Sequence, residues 1–178
     1  MKIVGIAGSL RQASYNRGLI ATARELLPEG VELDTLEIRL PLYDADLDVD
    51  GGPDEVRAFK DAIDRAAAVL IATPEYNYGV PGPLKNAIDW ASRPAYRSVF
   101  YRKKVAVFGA SGSVVGSARA QGQLKQVLLG MASEVFPFPE VVVGNARDKF
   151  ENGRLVHPST REHIGKLLDG FVAWVRGE

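Results

Sequence analysis

Short, wholly apolar runs separated by segments of helical period constrain this chain more than any other feature. Lys2-Ile-Val-Gly-Ile-Ala7, Ala68-Val-Leu-Ile-Ala-Thr73 and Lys104-Val-Ala-Val-Phe-Gly109 carry no polar side of their own. Runs this short suit strands buried on both faces. Between and after them, apolar residues return every three or four positions: Leu19, Ile20, Ala23, Leu26 and Leu27, then Val56, Phe59, Ile63 and Ala67, then Leu84, Ala87, Ile88 and Ala91. Leu124, Val127, Leu128 and Met131 mark a fourth helix, and Ile164 to Val175 a fifth. Val31 to Ile38 alternates apolar and polar, as a strand nearer a sheet edge does. Val135 to Val143 reads as a last strand, which Pro137 and Pro139 confine to the edge. The order is strand then helix, five times over. Strands apolar on both faces need helices on both faces, so the sheet is expected to be parallel.

Right-handed crossovers then give an α/β three-layer sandwich. A five-stranded sheet of this kind fits the flavodoxin-like strand order 2-1-3-4-5. The 178 residues suffice for one domain, 1–178. No linker, repeat or low-complexity tract interrupts it, and residues 39–53 and 144–159 are its long irregular stretches. Cysteine is absent, which excludes disulfides and thiolate chemistry. Lys+Arg and Asp+Glu balance at 22 each, so no basic field for nucleic acid arises. No run approaches the ~18 apolar residues of a membrane span. The opening Met1 to Ala7 is too short for a signal-peptide core, so a cytoplasmic location is expected.

Ligands of such sheets sit at the carboxyl ends of the strands, near the switch in strand order. Three loops fall there. Gly8-Ser-Leu-Arg-Gln-Ala-Ser-Tyr-Asn-Arg17 puts small polar residues and Arg11 at a helix start, where free N–H groups and the helix dipole favour an anion. A phosphate monoester would use all of these, although Ser14 or Asn16 could equally be a plain helix cap. Thr73-Pro-Glu-Tyr-Asn-Tyr-Gly-Val-Pro-Gly-Pro83 is stiff and aromatic, fit for the polar edge of a planar ring or simply for covering the core edge. Gly109-Ala-Ser-Gly-Ser-Val-Val-Gly116 is small enough for a ligand to approach its backbone, or for tight strand-to-helix packing. Together they describe an anion end, a planar polar edge and a glycine-lined wall, the shape of flavin mononucleotide. No metal is required.

Three motifs carry a resemblance. Gly8-Ser-Leu-Arg-x-x-Ser-x-Asn16, Pro74-Glu-Tyr-Asn-Tyr-x-x-Pro-x-x-Leu-Lys-Asn-Ala-Ile-Asp-Trp90 and Ser111-x-x-x-x-Gly116-x-x-Arg-x-Gln121 are similar to the signatures of the NADPH-dependent FMN reductases, in the branch of quinone, chromate and azo reductases. The likeness runs from residue 1 to about 145. It implies that Ser9, Arg11, Ser14 and Asn16 grip the phosphate. Pro74, Glu75, Tyr76, Asn77 and Tyr78 would surround the isoalloxazine, mostly through backbone groups. Ser111, Gly112 and Gly116 would form the opposite wall. It further implies a hydride taken from NADPH or NADH, two electrons handed in turn to a small-molecule acceptor, no obligatory protein acid or base, and a homodimer or homotetramer.

Other readings compete. Ser111, Asp148 and His157 follow the order of a hydrolase triad, with Gly109-Ala-Ser-Gly-Ser113 one glycine short of the nucleophile elbow. Asp46-x-Asp48-x-Asp50-Gly51 copies half a calcium loop, but Arg57 stands where its bidentate glutamate belongs. A non-enzymatic electron carrier of the flavodoxin type would typically be strongly acidic, whereas this chain is neutral.

Overall fold

The three apolar runs become the middle of one parallel sheet in the computed structural model, which describes residues 1–178. Strand β1 (Lys2–Ala7) lies between β2 (Glu32–Leu36) and β3 (Ala68–Ala72), and β3 pairs with β4 (Lys104–Ala110). Ile3 stands beside Leu33 on one side and Ala68 on the other; Ala72 stands beside Phe108. With β5 (Glu134–Val135) the order is β2-β1-β3-β4-β5, every pair parallel, as the pattern of apolar runs predicts.

Side-chain alternation divides the interior into two cores. Ile3, Ala7, Leu70 and Phe108 face α1 (Tyr15–Leu26) and α5 (Pro158–Arg176). Val4, Ile6, Val69, Ile71 and Val107 face α2 (Asp54–Arg65), α3 (Gly82–Ala91) and α4 (Ala118–Gly130).

The fifth strand departs from its expected span. It is broken into β5 and β6 (Val142–Val143), both paired with β4. Pro137 and Pro139 have no N–H to give a ladder. The intervening Phe136 and Phe138 stack on each other at 5.5 Å, and Phe136 also meets Phe171 and Trp174 of α5. The stretch 144–159 is also more ordered than its composition suggests. It holds a hairpin of β7 (Phe150–Glu151) and β8 (Arg154–Leu155). That hairpin seats so closely on α1 that a Cβ on Gly18 would lie 2.3 Å from the carbonyl oxygen of Gly153.

The stretch 39–53 is a strap held by α3. Asn86 accepts from the Tyr43 amide at 2.8 Å and donates to the Pro41 carbonyl at 2.9 Å, to which the Trp90 indole N–H also donates at 2.8 Å. Lys60 secures its far end by donating to the Gly51 carbonyl. Asn86→Ala should therefore lower stability by about 1–3 kcal/mol, because it strips partners from a half-buried amide and carbonyl. Urea unfolding monitored by Trp90 and Trp174 fluorescence checks this.

The hairpin and α5 share one carboxylate. Glu25 accepts from Arg154 at 2.7 Å and from Arg161 at 3.1 Å, and these hydrogen bonds hold its carboxyl below the usual carboxylate range. A depressed folded-state pKa contributes stability above the unfolded value of 4.5, and that contribution is lost as pH falls through the folded pKa. The melting-temperature gap between wild type and Glu25→Gln should thus be small but measurable at pH 7, and should close as the pH is lowered below 4.

Candidate functional site

Parallel pairing brings the loops after β1, β3 and β4 to the same edge, and they enclose a cavity of about 340 Å³. Ser9, Arg11, Ser14, Tyr15 and Asn16 line it from the first loop. Pro74, Glu75 and Tyr76 line it from the second, and Ala110, Ser111 and Gly112 from the third. The cavity lies where the strand order reverses between β1 and β3.

The first loop ends in a cap with spare donors. Ser14 has extended backbone angles, and its Oγ accepts from the Asn16 amide at 3.2 Å, so it is the N-cap of α1. The amides of Gln12, Ala13, Tyr15 and Arg17 have no acceptor within the protein. Arg11 lies over the Tyr15 ring, 5.3 Å from its centroid, and donates to the Ala13 carbonyl. Ser9 is buried; its Oγ accepts from the Arg11 amide and meets the Tyr76 hydroxyl at 3.1 Å, joining the first two loops.

Asn16 stands in the cavity wall with its side chain already committed. Its Nδ2 donates to the Ala110 carbonyl and its Oδ1 accepts from the Ala110 amide, both at 2.9 Å, and the residue is 2% exposed. It ties the start of α1 to the end of β4, committing its Oδ1 and one of its two Nδ2 hydrogens to Ala110. Arg17 points elsewhere, pairing with both carboxylate oxygens of Glu37.

The second loop turns back on itself through a bridge between Tyr76 and Gly79. Asn77 and Tyr78 hold the tip with φ of 46° and 68°. Both lie outside the cavity lining. Glu75 lines the cavity, but its carboxylate accepts from the Arg119 and Ala120 amides and from the Arg119 guanidinium. The unpartnered donor it retains is its own amide, as at Gly112 across the cavity.

The third loop is held from behind. The Ser111 amide donates to the Val143 carbonyl, and the Asn145 and Ala146 amides donate to Ser113 and Ser111. A Cβ on Gly112 would meet only open space. Gly116 is different: its φ is +64°, and a Cβ there would lie 2.3 Å from the Val142 side chain, so packing explains this glycine and it does not line the cavity. Sequence reasoning missed Tyr15 and Ala110 as lining residues. Tyr15 was legible as an aromatic inside the polar loop, whereas Ala110 offers only backbone and gave no signal.

The hydrolase arrangement does not form. Ser111 Oγ meets Ser113 Oγ, while His157 Nδ1 accepts from the Thr160 amide as the cap of α5 and lines a separate cavity with His163. No helix is long and apolar enough to cross a membrane.

Asn16→Ala should lower the urea midpoint sharply. It orphans a buried N–H and a buried C=O of Ala110, each worth about 1–3 kcal/mol. A midpoint within error of wild type would contradict the tie.

Comparison with known proteins agrees with this geometry. Residues 1–148 match the family model described as NADPH-dependent FMN reductase. The chain is 42% identical to an NAD(P)H-dependent FMN reductase of Pseudomonas aeruginosa, over 99% of this chain and 96% of that protein. It is 38% identical to a quinone reductase of Pseudomonas putida, over 96% and 92% respectively. The solved structure of the flavoenzyme FerB of Paracoccus denitrificans, an NAD(P)H:(acceptor) oxidoreductase, superposes with a TM-score of 0.88 at 35% identity, covering 99% of this chain and 97% of its own. By motif, fold and full-length similarity, the chain belongs to the NADPH-dependent FMN reductase family.

Proposed function

We propose that this protein is an FMN-dependent NAD(P)H oxidoreductase delivering two electrons to quinones or to azo, nitro, chromate or free-flavin acceptors. The observation that carries this reading is the set of uncommitted donors on the cavity. At the start of α1 the unpartnered amide of Tyr15 belongs to a residue that lines the cavity, with the free amides of Gln12, Ala13 and Arg17 flanking it, and a helix start of this kind favours a phosphate. The Ser9 and Ser14 hydroxyls and the Arg11 guanidinium lie on the same wall. The unpartnered amides of Glu75 and Gly112 suit the polar edge of a flat ring. The donor set therefore fits the cofactor.

When bound, FMN supplies the chemistry, taking a hydride from NAD(P)H and returning two electrons to the acceptor. The chain's own residues do the holding. Arg11, which donates to the Ala13 carbonyl, would hold the phosphate through charge-assisted bonds. Ser14, whose Oγ accepts in the cap, would have its hydroxyl proton free for the anion. The Glu75 and Gly112 amides would be available to donate to the polar edge of the ring. Pro74 and Tyr76 would line one side of the bound ring. Asn16 holds the frame through Ala110 and keeps one Nδ2 hydrogen beside the phosphate seat, Gly116 allows close packing on Val142, and Asn77 and Tyr78 shape the tip of the second loop.

The same reading takes residues 1–178 as one FMN-binding domain acting in the cytoplasm as a homodimer or homotetramer. The exposed Tyr78, Val114 and Val115 beside the second and third loops support a subunit contact there.

The purified protein should show the visible bands of bound flavin, and these should bleach on anaerobic addition of NADPH and return on addition of a benzoquinone. A colourless protein that takes up no FMN would overturn the reading. A protein that binds FMN but sustains no NAD(P)H oxidation with a quinone would instead be an electron carrier. Arg11→Ala should weaken FMN binding by about 1.5–3 kcal/mol, read by titrating the apoprotein.

A further inference from the structure

We propose that Glu75 and Arg119 are positioning residues that fix the second loop against the flavin, an inference that rests on the FMN reading above. The main chain of Glu75 borders the cavity, yet its side chain leaves for α4 and is 6% exposed there. Its carboxylate accepts from the Arg119 amide at 3.0 Å, the Ala120 amide at 3.3 Å and the Arg119 Nε at 2.7 Å. Those amides belong to the first turn of α4, whose own N-cap, Ser117, makes no side-chain cap bond. A loop 44 residues earlier thus caps the helix.

The attachment is then doubled. The Arg119 guanidinium lies 4.0 Å from the centroid of the Tyr78 ring. Gln123, one turn further along α4, donates to the Tyr78 carbonyl and accepts from the Val80 amide. Without α4, the loop would be held by the Tyr76–Gly79 bridge and the Ser9–Tyr76 hydroxyl contact alone, with two residues at positive φ. A buried carboxylate bound by two helix-terminal amides and a guanidinium is costly to displace, because water cannot replace its partners. It therefore sets where the Glu75 amide and the Tyr76 ring stand in the cavity.

Glu75→Gln keeps the size but removes the charge and turns one acceptor into a donor facing N–H groups. Arg119→Met removes the guanidinium and keeps the α4 amides. FMN affinity of the apoprotein, the visible spectrum of the bound flavin, kcat, KM and the melting temperature of the apoprotein are to be measured for wild type, both variants and the double variant. Each single variant should bind FMN about tenfold more weakly. The bound-flavin spectrum should move toward that of free FMN, and kcat should fall more than KM changes. The double variant should lose less than the sum of the two single ones, since the carboxylate and the guanidinium share a contact while attaching the same loop to α4. Variants that melt lower yet bind FMN with wild-type affinity and an unchanged spectrum would overturn the proposal, leaving Glu75 a stabilising residue only. Should Glu75→Gln fail to fold, Arg119→Met decides by the same readouts. Wild type that takes up no FMN would overturn the underlying functional reading, whereas FMN-binding wild type with unaffected variants overturns the clamp alone.

Discussion

Every residue of β3 is buried, and so is every residue of β1 beyond Lys2. Everything else in the molecule follows from that constraint. A strand dry on both faces must be covered by helices on both, and a helix between each pair of strands returns the chain to the same starting edge. All the strand-to-helix loops therefore leave from the opposite edge. The cavity is a consequence of topology before it is a consequence of any side chain.

Topology alone leaves three loops side by side with nothing to fix their distances. Polar side chains bonded to backbone do that. Asn16 joins the first loop to the third through Ala110. Ser9 and Tyr76 join the first to the second. Glu75 joins the second to α4, and Gln121, wholly buried, joins the first turn of α4 to the Val141 carbonyl beside β6. Each of these bonds links segments far apart in sequence, and three of the four use a main-chain partner. Such bonds are expensive to break, because the orphaned backbone group stays buried. The walls are thus preorganised, while the donors at the start of α1 remain free.

The sheet was legible because burial on both faces writes itself into sequence as unbroken apolar runs. Helices were legible by period, and α5 lost only residues 158–163: the His157 cap and Pro158 at the first helical position start it ahead of the first apolar position at Ile164. The fifth strand was half legible. Its prolines correctly signalled an edge, but an alternating pattern cannot show that Phe136 and Phe138 turn toward α5 instead of continuing the ladder. The hairpin at 150–155 was not legible, since two-residue strands have no period and this one depends on the close approach of Gly153 to Gly18.

In the site, residue type was readable and direction was not. Asn16, Glu75 and Gly116 stand in motifs that the family resemblance associates with the cofactor, yet their side chains, or the lack of one, answer to protein neighbours. Asn86 and Trp90 extend the point: both belong to the long central motif, and both spend their polar groups on the strap at 41–43. A motif of this kind records two demands at once. A few positions, such as Arg11 and Gly112, leave a donor or an open space where a ligand would come. More of them hold neighbouring loops at fixed separations, and a change there would move the cavity wall without touching what it binds. Substitutions at the two kinds of position must therefore differ in signature, the first altering affinity at constant stability and the second altering both.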